Sequence, residues 1–286
     1  MSKTIATKAK LLVVKSVQQF IDEIGGLKML PGKTRFYRGH GDYKYRLLPG
    51  VYRHRSLINN EYELINEAVI RCPGEFPRSC TFFEVLVRLQ HYGLPTRLLD
   101  LTSNAFAALF FACSEKARTM GEVIVLDVPD NEIKYYNSDT IAVVANLARR
   151  KRDFDLASLS NDFKDFNNEE EIGRLVHDVR EDKPGFRELV VKEHLRRVFC
   201  VKAKLDNARI ARQDGAFLLF GIDGKKQQCA EIPGSWIVRG PGVKRLVFSD
   251  KDRIKVQLEQ FGISERTLFP ELDRQTKCIV ERFKER

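Results

Sequence analysis

Two stretches about fifty residues apart hold most of the side chains able to do chemistry. The first is Arg35-Phe36-Tyr37-Arg38-Gly39-His40. The second runs from Gln90-His91-Tyr92-Gly93-Leu94-Pro95-Thr96-Arg97 through Leu98-Leu99-Asp100-Leu101-Thr102-Ser103-Asn104 into the apolar run Ala105–Cys113. Polar groups set against a rigid apolar body act with little competition from water. Arg38 offers a planar fork of donors suited to a phosphate or a ribose hydroxyl. Asp100 or His91 can take a proton from an incoming nucleophile. Thr102 and Ser103 bring hydroxyls, and Gln213, before Asp214-Gly215-Ala216-Phe217, stands at the start of an expected strand.

Each of these residues also has a purely structural reading. Arg38 could form a buried ion pair with Asp100, His91 could be a satisfied helix-end histidine, and Gln213 could be a turn residue. Thr102 or Ser103 is expected to cap the apolar helix. The basic run Arg149-Arg150-Lys151-Arg152 reads either as a solvated helix end or, aided by Arg196 and Arg197, as a phosphate-tracking patch.

The elements that must position these residues follow from periodicity. Helices are expected over Ser16–Ile24, Asn60–Arg71 and Thr81–Tyr92, the last opened by a Thr81/Glu84 capping box. A tight polar turn should precede the apolar helix that ends at Ser114. Further helices are expected over Thr140–Arg152 and Glu169–Arg180, flanking a mobile Asp153–Asn168, and Ser249 is expected to cap a last helix pair running through Glu259 and over Glu271–Phe283. Strands are expected at Thr34–Arg38, Glu122–Val128, Val198–Ala203, Ala216–Gly221, Ser235–Arg239 and Lys244–Phe248. Helices precede most strands, which favours α+β over a regular βαβ alternation.

The chain has 286 residues, 43% of them apolar, enough for a substantial core. No apolar run reaches the ~18 residues of a membrane helix, so no membrane partner is expected. Lys3, Lys8 and Lys10 precede an apolar stretch, Leu11–Val14, too short for a signal-peptide core. Six scattered cysteines without a CxxC pair favour free thiols in a reducing cytoplasm over a zinc site, and no metal is expected. The net charge of +10 suits an anionic partner: nucleic acid, a phosphorylated cofactor or an acidic protein. A solvated basic surface is the alternative.

Phe36-Tyr37-Arg38-Gly39, Leu47-Leu48-Pro49, His91 through Asp100, Ala108-Leu109-Phe110-Phe111-Ala112 and Thr267 through Asp273 closely resemble the FRG-domain family, named for its aromatic-Arg-Gly motif. That family in turn looks like an outlying branch of the ADP-ribosyltransferases. The resemblance implies a single domain over residues 1–286, with a split mixed β-sheet core, surrounding helices and a helical insertion near 140–196. It implies NAD as cofactor, held by Tyr37, Arg38, Gly39, His40, His91 and Arg97, with Arg38, Asp100, Thr102, Ser103 and Gln213 as catalytic candidates. Gln213 stands where the larger group carries an acid, so Glu231 and Glu271 remain candidates for that role. His40, where the family often has Gln, and Leu101, where it often has Trp, are smaller departures. The implied activity is ADP-ribosyl transfer to RNA or DNA by a cytoplasmic toxin of the toxin–antitoxin or phage-defence kind, with an antitoxin protein as partner. An NAD glycohydrolase and a non-catalytic module that grips a nucleotide or nucleic acid are the alternatives.

Overall fold

The structure, a computed structural model, describes residues 10–284 apart from 78, 116, 117, 188, 206, 207 and 240–243, so Lys3 and Lys8 lie outside it. Nine strands follow in chain order: β1 (Lys10–Val14), β2 (Lys33–His40), β3 (Leu98–Thr102), β4 (Gly121–Pro129), β5 (Ile133–Tyr135), β6 (Val198–Lys202), β7 (Gly215–Phe220), β8 (Ile237–Val238) and β9 (Lys244–Phe248). They form one mixed sheet in the order β1-β9-β4-β2-β3-β7-β6-β5, with β8 pairing β4. The β1–β9 and β5–β6 pairs are parallel and the rest antiparallel. This is an α+β architecture with surrounding helices.

Alternation along the strands divides the core. Phe36, Leu99, Leu101, Leu126, Val128, Val198, Leu218 and Phe220 pack with Trp236 on one face. On the other face Tyr37, Val123 and Val125 meet the apolar helix Ala105–Ser114. Beside them Leu98, Phe199, Phe217 and Leu219 meet the helices Phe82–His91, Asp139–Asn146 and Glu170–Asp182. The sheet is continuous in pairing but nearly parts in the middle. β2 and β3 join through one residue pair, Tyr37 with Thr102, whereas β2 pairs β4 along all eight of its residues.

Several expectations need correction. The residues before the apolar helix are strand β3, because Leu99 and Leu101 fill one face while Leu98 packs on the other. That helix is capped by Asn104, whose Oδ1 accepts from the Phe106 and Ala107 amides, and by neither Thr102 nor Ser103. The expected helix Thr140–Arg152 ends at Asn146 and passes through a 3-10 turn to Arg149. Asp153–Asn168 is anchored by buried Phe154, Leu156 and Phe166, and it contains a helix, Phe163–Asn168, capped by Asp162. Ser249 is not the cap of the helix Lys251–Gln260; Asp250 holds that position. Strand β1 was hidden in the short apolar stretch after Lys10.

Candidate active site

Gly39 sets how closely the apolar helix approaches the sheet. A Cβ there would lie 2.0 Å from the Ala108 carbonyl oxygen and 2.6 Å from the Ala112 nitrogen, so only glycine allows this contact. The helix thereby brings Phe110 and Phe111 against β2, where it diverges from β3. A cleft of about 540 Å³ opens there, lined by Tyr37, Arg38, Gly39 and His40 of β2, by Asp100 and Thr102 of β3, and by Gln90 and His91 from the end of their helix. Gln213 and Arg209 close it on one side. Glu265, Phe269, Arg274 and Lys277 bring the C-terminal segment to its rim. Its five Arg and Lys residues (Arg38, Arg53, Arg209, Arg274, Lys277) outnumber three carboxylates (Asp100, Glu115, Glu265).

Arg38 bridges the gap between the diverging strands. Its Nη1 donates to the Asp100 carbonyl at 2.5 Å and lies 3.8 Å from that residue's carboxylate, which is 57% exposed. Its Nε donates to His40 Nε2 at 3.0 Å, leaving Nη2 without a partner among the described residues. Burial lowers the guanidinium pKa while Asp100 opposes the shift; the group stays cationic. His40 is 3% exposed, and accepting from Arg38 places its own proton on Nδ1, which has no partner among the described residues. Burial first, then the positive charges of Arg38, Arg53 and Arg245, depress its pKa to about 3. His40 is therefore a neutral hydrogen-bonding group at physiological pH.

Asp100 is oriented by Gln90, whose Nε2 lies 3.2 Å from Oδ2 while its Oε1 accepts from the Thr96 hydroxyl at 2.6 Å. Gln213 lines the cleft with its amide fixed: Nε2 donates to the Leu268 carbonyl at 3.0 Å, and Oε1 keeps its acceptor capacity. The following residue, Asp214, sits at φ +47°, a left-handed conformation that aspartate tolerates better than most residues, and turns the chain into β7. His91, with its side chain 12% exposed, faces Glu271 Oε1 at 3.3 Å.

Other expected site residues stand elsewhere or are engaged. The Thr102 hydroxyl donates to the Gln213 carbonyl and accepts from the Asn104 amide, so it ties β3 to the turn before β7 and is not open to a ligand. Ser103 is exposed and does not line the cleft. Arg97 is fully buried away from it, in a bidentate pair with buried Glu61 that also draws in Lys226, and it donates to the Phe220 carbonyl. It locks the start of β3. Glu231 is exposed and off the cleft. The basic run is not a continuous patch. Arg149 pairs with Asp178 and Glu181 over the Phe82 ring, and Arg150 is buried against Asp178, leaving only Lys151 and Arg152 exposed. Arg197 pairs with Glu132 at 2.5 Å. Sequence reasoning missed Arg53, Arg209, Phe269 and Arg274, which lie far apart in the chain. Arg209 stacks 4.6 Å and Arg274 5.6 Å from the Phe269 ring centre. The only hint of them was the Thr267–Asp273 motif.

These observations define an α+β protein with a cationic, aromatic-walled cleft where its sheet comes apart. Residues 33–120, from β2 through the apolar helix, match the FRG domain. The match carries Arg38, His40, His91 and Asp100, whereas Arg209, Gln213 and the C-terminal rim come from outside it. No curated protein and no solved structure matches the chain. Among the described residues, no helix is long and apolar enough to cross a membrane.

Proposed function

We propose that this protein is an NAD-consuming ADP-ribosyltransferase of outlying fold that modifies a nucleic acid, RNA in preference to DNA. The observation that carries the reading is the convergence of Arg38, Asp100, His91 and Gln213, drawn from three distant stretches, on one cleft between the diverging strands. The fit to a dinucleotide rests on three polar groups with no partner among the described residues: Arg38 Nη2, the His40 Nδ1–H and the Gln213 side-chain Oε1. The cationic surplus favours the pyrophosphate, and the aromatic walls favour flat rings. The volume also lies within the usual range for small-ligand pockets, roughly 300–1,000 Å³.

NAD would supply an activated ribose, whose carbon becomes positively charged as nicotinamide departs. Arg38 and His40 hold the phosphates. Gln213 Oε1 accepts from ribose hydroxyls. The Asp100 carboxylate, fixed by Gln90, lends negative potential to the side of the cleft where positive charge develops. The net charge of +10 supports an anionic acceptor, although Arg149 and Arg150 are already paired with Glu181 and Asp178. The family likeness extends the reading to a host-arresting toxin, restrained by an antitoxin, in a toxin–antitoxin or phage-defence module.

Incubating the protein with adenylate-labelled NAD and total RNA, DNA or lysate protein tests the reading. Label on RNA or DNA is the expected result. Label on protein replaces the acceptor, free ADP-ribose makes water the acceptor, and intact NAD throughout rejects the activity.

A further inference from the structure

Among the described residues, Glu271 is the one carboxylate of the C-terminal segment driven into the protein without a hydrogen bond. Both of its oxygens are buried, and Oε1 lies 3.3 Å from His91 Nε2 and 3.8 Å from Arg209 Nη1. The segment that delivers it is tied down on both sides. Gln213 holds the Leu268 carbonyl, and Gln275 holds the carbonyls of Arg266 and Phe269. Its partner His91 ends the helix Phe82–His91 and lines the cleft, braced edge-on by Tyr92 with ring centres 5.1 Å apart. With Nε2 turned to Glu271, Nδ1 is the nitrogen left open, having no partner among the described residues and no place among the buried unbonded atoms.

We infer that His91 and Glu271 form a general-base dyad, in which Glu271 holds the imidazole with its proton on Nε2 so that Nδ1 takes the proton of the acceptor nucleophile. This rests on the transferase reading. The charge balance is simple. The acceptor's lone pair forms the new bond to the ribose C1′, the C1′–nitrogen bond breaks with its electron pair on the departing nicotinamide, and the acceptor's proton goes to Nδ1 and then to water. Glu271 steadies the imidazolium formed meanwhile, as the carboxylate does in other acid–histidine pairs. It acts through His91 and is a positioning residue.

The surroundings suit a base. Burial, Arg209 and Arg88 lower the His91 pKa, whereas Glu271 and Asp100 raise it. The ring is thus neutral and able to accept near pH 7, and removing Glu271 should lower its pKa further.

Azide provides the kinetic test, because it is already an anion and needs no base. Nicotinamide release is measured with water, methanol and azide as acceptors, across pH, for the natural protein, His91→Gln and Glu271→Gln. His91→Gln should slow the water and methanol reactions by about 100-fold or more while azide restores cleavage. Glu271→Gln should move the acid limb of the pH profile to lower pH, a change that a merely structural role would not produce. Failure of azide to restore cleavage, or an unmoved acid limb, overturns the dyad. Should the natural protein release no nicotinamide with any acceptor, the transferase reading fails separately. Nitrogen-15 NMR of His91 then judges the dyad alone: it requires a protonated Nε2, a bare Nδ1 and a lower pKa in Glu271→Gln. A protonated Nδ1 in the neutral ring, or an unchanged pKa, rejects it.

Discussion

Acid should destabilise this protein through His40 in a way that one substitution removes. The imidazole is buried, accepts from Arg38 Nε, and is surrounded by the cations Arg38, Arg53 and Arg245. Its pKa falls from about 6.5 in the unfolded chain to about 3 in the native protein. Between those values the unfolded chain binds a proton that the native protein refuses, so stability is lost as the pH drops. The slope approaches about 1.4 kcal/mol per pH unit, and integration from pH 6.5 to 4.5 gives a loss of about 2 kcal/mol attributable to this group. His40→Gln keeps an acceptor for Arg38 and cannot titrate. Urea unfolding at half-unit pH steps should show the natural protein losing about 2 kcal/mol relative to His40→Gln across that window. Parallel stability curves for the two proteins would refute the reasoning, because they would mean that the native imidazole titrates as it does in water.

Three further outcomes follow from packing and charge. Gly39→Ala drives a methyl group into the Ala108 carbonyl and should cost about 3 kcal/mol, lowering Tm on the order of 6–12 °C; an unchanged Tm contradicts the close approach of helix and strand. Glu61→Gln leaves Arg97 and Lys226 buried without their counter-charge and should cost about 3–5 kcal/mol in urea unfolding, whereas a loss under about 1 kcal/mol would place the network in water. Asn104→Ala should cost about 1 kcal/mol and Ser103→Ala less than about 0.5 kcal/mol, a contrast that thermal melts resolve and that separates the true cap from its neighbour.

Local rules carried the sequence reading where burial agreed with them. Thr81 and Glu84 announce the helix Phe82–His91 because capping chemistry is local, and both halves of the capping box form. Arg38 and Asp100 were singled out by residue type beside apolar runs and Gln213 by the family likeness, and all three line the cleft. The failures came from pairing across the chain. Leu98–Thr102 looked like a turn because its polar residues are prominent; its role as a strand depends on β7, more than a hundred residues later. Arg97 and Arg150 carry the same charge as Arg38, yet partners on distant segments, Glu61 and Asp178, turn them into core ties. Thr102 carries a hydroxyl fit for catalysis, but the Gln213 carbonyl, brought close by folding, engages it. The cationic rim on Phe269 was hidden for the same reason, since Arg209 and Arg274 reach one ring from separate elements.

The central claim is that the cleft binds and cleaves NAD through Arg38, whose Nη2 alone is left for a ligand while Nε and Nη1 hold His40 and the Asp100 carbonyl. The most direct measurement is nicotinamide release by purified natural protein, Arg38→Lys and Arg38→Ala, with native folding of each checked by circular dichroism. The natural protein should release nicotinamide, and both variants should fall to background, because lysine keeps the charge but lacks the planar fork. Release by Arg38→Ala at the natural rate would contradict the account.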